Sequence, residues 1–230
     1  MKTIGIIGGM SFESTATYYK IINEEVAKKL GGLNSAKIIL YSLNFEKIAN
    51  LQKQNAWDEA ARLLGACAKS LENAGADFIL IATNTMHKIY EQVQAQIHIP
   101  LLHIATSTAK ALKKENYDKI GLLGTKYTMA ENFYKDTLKT YGIEALTPDE
   151  SDMQEVSDII FSELCKGQIK TKSKAKYLQI IEKLHAKGAK AIVLGCTEIG
   201  LLLHSSDTQI PLFDTAIIHA LDAVELALEV

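Results

Sequence analysis

Two polar triplets each follow a short apolar run of strand length: Thr83-Asn84-Thr85 after Phe78–Ala82, and Cys196-Thr197-Glu198 after the run ending at Gly195. A hydroxyl and a thiol at matching places, facing one substrate from opposite sides, suit two-base proton transfer at carbon. One group removes a proton and the other delivers one to the opposite face. A thiolate fits the first task, because its pKa of about 8.5 falls readily near cations or helix N-termini. A threonine hydroxyl is a far weaker acid and no comparable base. By position alone, Cys196 reads either as such a base or as a buried inert thiol. Cys67 and Cys165 fall in helical patterns and read as inert. His87 and His103 stand near strand ends, where lone histidines are usually satisfied structural groups. Should Thr83 not supply the second acid, His87 and Glu198 are the next residues to test.

The elements that must carry these triplets show in the apolar pattern. Strand candidates are Lys2–Ile7, Lys37–Tyr41, Phe78–Ala82, Leu101–Ile104 and Lys119–Leu123, while Ser14–Lys29 and Trp57–Asn73 have helical spacing. This alternation predicts an α/β fold with mainly parallel sheets flanked by helices. The order then repeats. TIGIIG at Thr3 returns as KIGLLG at Lys119, AGADFILIATNT at Ala74 as KGAKAIVLGCTE at Lys187, and IPLLHIA at Ile99 as IPLFDTA at Ile210, at separations of 116, 113 and 111 residues. Generic likeness between βα units is one account, and duplication is the better one. Two similar halves are expected: 1–105 plus 210–230, and 106–209, with the crossing near Ala105–Ala109 and Pro211–Val230 returning to the first half. Pro100 and Pro211 mark strand starts in the repeated IPL element. Thr147–Glu155 and Gln168–Lys174 are polar and read as loops. Such halves would meet at a cleft, and ligands of such sheets bind outside the carboxyl ends of strands.

Composition narrows the function classes. With 230 residues, 47% hydrophobic and 23% charged, the chain reads as a soluble globular protein of one large or two small domains. A net charge of -2 leaves no basic surplus for nucleic acid. No apolar run reaches the roughly 18–20 residues of a membrane span, and the N-terminus lacks a signal-cleavage pattern and reads as a first strand. Three widely spaced cysteines make no disulfide framework, which implies a reducing, cytoplasmic setting. Without CxxC or HExxH a zinc site has no motif, and without GxGxxG or GxxxxGK[ST] neither does a dinucleotide or P-loop site. The glycine turn after the first strand serves tight-turn geometry or anion binding, and both readings stand.

Three motifs together, IGIIGGMSFESTATYY from Ile4, ATNTMH from Ala82 and LGCTEI from Leu194, resemble the aspartate/glutamate racemase family on its aspartate-racemase branch. Glutamate racemases typically carry GCTHYP where this chain has GCTEIG. The resemblance runs from Lys2 to the C-terminus. It implies two α/β domains related by pseudo-twofold symmetry, a cleft between them, no cofactor, a homodimer, and usually two cysteines acting as acid and base. The family's second cysteine falls on Cys196 and its first on Thr83, a replacement that some members share.

The resemblance further implies an amino-acid substrate. Its carboxylate would meet backbone N–H groups at Met10 and Ser11 and neutral donors at Asn84, Thr85, Thr125 and Thr197. Lys166, in FSELCKG, falls where aspartate racemases place a lysine, though it also reads as a helix-end cation. Gln52 falls near a position where some relatives have arginine, and Glu198 would orient a base or contact the amino group. The activity implied is racemization of aspartate, glutamate or both, with broader amino acids admitted, through a planar carbanion. Cys196 would abstract the α-proton, Thr83 or a water it positions would reprotonate the other face, and bonds to the carboxylate would stabilise the carbanion. A decarboxylase-like enzyme with one cysteine is an alternative, against which the intact GGMSxxST motif argues. A binding protein that has lost turnover is another. No metal, nucleic acid or membrane enters the expectation.

Overall fold

In the computed structural model, which describes residues 1–229, the chain divides into two units, one of Met1–Ile104 with the segment from His219 onward and one of Ala105–Ile218. In the first, β1 (Ile4–Gly8), β2 (Ile38–Ser42), β3 (Phe78–Ile81) and β4 (Leu101–Leu102) pair in parallel in the order β2-β1-β3-β4. The inner strands β1 and β3 are buried throughout. That is why they read as continuous apolar runs rather than alternating ones. The helix Trp57–Asn73 turns Ala60, Ala61, Leu64, Cys67, Ala68 and Leu71 into this core at helical spacing, which makes Cys67 a packing residue. Strand β4 is short because His103 leads straight into the helix Ile104–Lys114.

The second unit repeats this plan. Strands β5 (Lys119–Gly124), β6 (Glu144–Leu146), β7 (Ala191–Gly195) and β8 (Leu212–Asp214) are parallel in the order β6-β5-β7-β8. In each sheet the chain leaves the first strand toward one edge and later fills the other. The reversal therefore falls between the two inner strands, and at such a switch point their carboxyl ends open a crevice. Residues 9–11 and 83–85 follow those ends in the first unit, and 125 and 196–198 follow them in the second.

Three expectations need correction. The segment Thr147–Glu155 is not a loop throughout. Asp149 accepts from the Asp152 amide at 3.0 Å and caps a helix over Glu150–Ser162. Within Gln168–Lys174 a helix Thr171–Ala186 already begins. The segment from Pro211 does not return whole to the first half: β8 pairs with β7, so the second unit runs to Ile218, and only the chain from His219 rejoins the first. Local polarity suggested loops in the first two cases, but a buried face on each helix, and a side-chain cap on the first, outweigh it. Val230 lies outside the described residues.

The turn after β1 depends on Gly9, which holds φ at +83° with the Leu43 backbone lying where a Cβ would be. A side chain there suffers both a disfavoured backbone and a collision with main-chain atoms. Gly9→Ala is expected to destabilise the fold by more than about 1 kcal/mol. In a thermal melt Tm should fall by at least roughly 2–4 °C, and an unchanged Tm would refute this account of the turn.

Candidate active site

At the β1 end of the first unit, the Gly9 N–H donates to Thr15 Oγ1 at 2.8 Å, and the Thr15 hydroxyl donates to the Ser11 carbonyl at 2.8 Å. Ser11 Oγ caps the helix Phe12–Leu30 by accepting from the Ser14 N–H at 3.4 Å. Both Met10 and Ser11 are buried, and Met10 packs in the core. At the β3 end, the Thr83 N–H donates to the Ile81 carbonyl at 2.8 Å, which bends the chain off the sheet. Thr83 is the only member of its triplet that is not buried. Asn84 and Thr85 lead into a 3₁₀ turn, Thr85–Ile89. The buried Gln52 donates through Nε2 to Met86 Sδ at 3.1 Å, so it stands beside the residue that follows the triplet.

In the second unit the triplet binds itself. The Cys196 thiol donates to Glu198 Oε2 at 3.0 Å, and the Thr197 hydroxyl donates to the same oxygen at 2.9 Å. All three residues are buried. Glu198 is thus engaged by the two side chains that precede it in its own triplet. Burial, and then the Glu198 charge, push the thiol well above its ordinary pKa. The lowering expected of an active thiolate is thus reversed: Cys196 rests as a neutral thiol aimed at a carboxylate. Thr125, at the end of β5, caps the short helix Lys126–Ala130 by accepting from the Thr128 N–H at 3.4 Å.

Two neighbours of this triplet escaped the sequence reading. Cys165 packs against the core that holds Cys196, and the Glu198 charge adds to the burial that raises its thiol pKa. Its turn, Leu164–Lys166, packs on Ile199–Leu202, which brings the exposed Lys166 to the same side of the unit. Asp214, at the end of β8, accepts from the amides of Ala216 at 2.8 Å and Ile217 at 3.2 Å. Its other oxygen fills the space that a side chain at Gly200 would need. The signal for Asp214 was present, since the IPL repeat equates it with His103.

The family profile described as Asp/Glu/Hydantoin racemase matches residues 7–223. The chain belongs to the Asp/Glu/Hydantoin racemase family. It is similar to the structure of a candidate Asp/Glu racemase from Yersinia pestis, at 50% identity and a TM-score of 0.92 with all of both chains covered. An aspartate racemase homologue from Pyrococcus horikoshii OT3 follows at 37% identity and a TM-score of 0.86, again covering all of both chains. The broad specificity amino-acid racemase RacX of Bacillus subtilis (strain 168) is 26% identical over 93% of this chain and 92% of its own length.

Burial raises the Asp214 pKa to about 6, against the pull of its two amide donors. The folded chain therefore keeps this proton at pH values where the unfolded chain, with an ordinary value of 3.8, has lost it. Its contribution to stability is present below about pH 4 and is lost as pH rises through about 6. Asp214→Asn keeps an oxygen for the two amides and cannot ionise. Its Tm relative to the unmodified protein should rise between pH 4 and pH 7, and a parallel pair of melting curves would refute the assignment.

Proposed function

We propose that this chain is a cofactor-independent racemase of aspartate, glutamate or both, with a wider range of amino acids admitted, and that Cys196 and Thr83 serve opposite faces of one α-carbon. What supports the reading is the Cys196–Glu198 hydrogen bond at the carboxyl end of β7, in a member of a family of racemases. The S–H bond breaks toward Glu198 Oε2 as Sγ takes the substrate's α-proton. The electron pair left on Cα spreads into the substrate carboxylate, which Asn84, Thr85, Thr125 and the backbone N–H groups at Met10, Ser11 and Thr197 would hold, the Thr197 hydroxyl being spent on Glu198. Thr83, or a water bound to its hydroxyl, then donates a proton to the other face and recovers it from solvent. Glu198 returns its proton to solvent and the pair is reset.

Lys166 supplies the charge that recognises a side-chain carboxylate. Gln52 is neutral and adds no second charge, which fits a tolerant site. The broad specificity of RacX points the same way. The protein works as a cytoplasmic homodimer.

The defining test follows α-deuterium incorporation by NMR over L- and D-amino acids in deuterated water. Turnover of aspartate or glutamate is expected, and Cys196→Ala should lower it by at least roughly 10²–10⁴-fold with the fold unchanged. Ligand affinity without any exchange would instead identify a binding protein, and loss of carbon dioxide a decarboxylase.

Glu198→Gln separates hydrogen bonding from proton acceptance. The amide oxygen still receives the thiol hydrogen bond but cannot take the proton. Because the Cys196 pKa is raised, thiolate in this variant must form by loss to solvent, and its fraction grows as pH rises. The variant's rate should therefore fall steeply at neutral pH and recover toward alkaline pH. Identical pH profiles would show that Glu198 does not receive the proton.

A further inference from the structure

The carbonyl of Thr83 is not left to solvent. His87, four residues on and fully within the first unit, reaches it with Nδ1 at 2.9 Å. The other ring nitrogen, Nε2, receives the Ile104 N–H at 3.2 Å. A carbonyl can only accept and an amide N–H can only donate. These two bonds require the proton on Nδ1 and a lone pair on Nε2, in competition with the Leu102 carbonyl, which also interacts with the ring. Ile104 is the last residue before the chain passes to the second unit.

His219, the first residue after the chain returns, makes the complementary pair of bonds. Its Nε2 donates to the Leu102 carbonyl at 3.1 Å, and its Nδ1 accepts from the Tyr18 hydroxyl at 3.0 Å. Leu102 and Ile104 flank His103, so two imidazoles grip the backbone on either side of one residue. The rings also pack together. The centroid of His87 lies 4.8 Å from that of His103, 5.9 Å from that of His219 and 6.2 Å from that of Tyr90, whose plane is nearly parallel.

The second unit has no such clamp. The repeat that equates Thr83 with Cys196 equates His87 with Gly200, and at Gly200 the Asp214 carboxylate takes the place of a ring. There the triplet is held by its own side chains, through Glu198. A thiol needs a proton acceptor beside it, so the group that holds Cys196 also serves its chemistry. The Thr83 hydroxyl, or a water on it, gives its proton to the substrate and takes one back from solvent, so it needs direction but no carboxylate beside it.

We infer that His87 is a positioning residue, which ties the Thr83 carbonyl to the Ile104 amide and so fixes the strand end from which Thr83 addresses the substrate. The inference rests on the reading of Thr83 as the group serving the second face. Protonation would cost His87 its bond from Ile104. Burial and the neighbouring His103 and His219 hold its pKa well below the ordinary value, and the Tyr18 hydroxyl and the Tyr90 ring also face the cluster.

Two measurements test this. In the first, each enantiomer is incubated separately in deuterated water, and inversion is measured against exchange with retention for the one that exchanges faster, whose α-proton faces Cys196 and whose retention needs only that face. General damage to the fold lowers both and leaves the ratio unchanged. His87→Ala should lower the ratio of inversion to retention by roughly 10- to 100-fold, as a misplacement of about 1 Å does. Thr83→Ala should lower the same ratio. His87→Gln, whose carboxamide keeps one donor and one acceptor, should recover part of it and serves if the alanine variant does not fold. A ratio insensitive to Thr83→Ala overturns the assignment of Thr83 itself. A ratio that responds to Thr83→Ala but to neither His87 variant overturns the positioning role. The second measurement needs no turnover. Nitrogen-15 shifts of the His87 ring should report the Nδ1–H form from pH 5 to 8, and the Ile104 amide should be protected from hydrogen exchange and lose that protection in His87→Gln or His87→Ala. A mobile tautomer or an unprotected Ile104 amide overturns the clamp.

Discussion

The bond from the Cys196 thiol to Glu198 Oε2 is the interaction to which the second unit is fitted. A carboxylate buried in an apolar core is tolerated only with hydrogen-bond donors on it, and here two side chains of its own triplet supply them. The same burial keeps the sulfur protonated. The thiol and the carboxylate are thus held together in one buried pair, with the hydrogen on sulfur. Asp214 belongs to the same electrostatic group, since the Glu198 charge adds to what burial does to it.

One backbone plan carries two different solutions. Both sheets place a polar triplet at the carboxyl end of an inner strand, beside a turn whose first helix is capped by Ser11 in one unit and Thr125 in the other. In the second unit the triplet is secured by side chains. In the first it is secured by a histidine bonded to main-chain atoms on both sides. These are separate ways of holding a strand end still.

The histidines illustrate how a titratable residue becomes structural. His87 and His219 spend both ring nitrogens on fixed partners, and each partner's role as donor or acceptor settles the tautomer. Among the described residues no group of three or more His, Cys, Asp or Glu side chains is placed to hold a metal. The ring cluster instead braces the two points where the chain leaves and re-enters the first unit.

Much of this was legible before any coordinates. Apolar runs of strand length marked β1 and β3 as strands, and the repeat carried that reading to β7. The repeat located the two triplets at equivalent ends, and the family motifs assigned the chain, because strand burial and turn chemistry are written in local residue types. What local pattern cannot encode is which way a buried side chain turns and what it meets. Cys165 looked remote and lies near Cys196, because the turn that carries it folds back on Ile199–Leu202. Strand β8 stayed with the second sheet, because its pairing with β7 outweighs the pull of the helix that follows. Glu198 turned toward sulfur and His87 toward two backbone groups, one of them seventeen residues away. Sequence by itself determined the α/β repeat and the residues able to move a proton. Only the packed structure decided the protonation state of the thiol and the tautomer of His87, since both depend on burial and on partners that folding alone brings within hydrogen-bond distance.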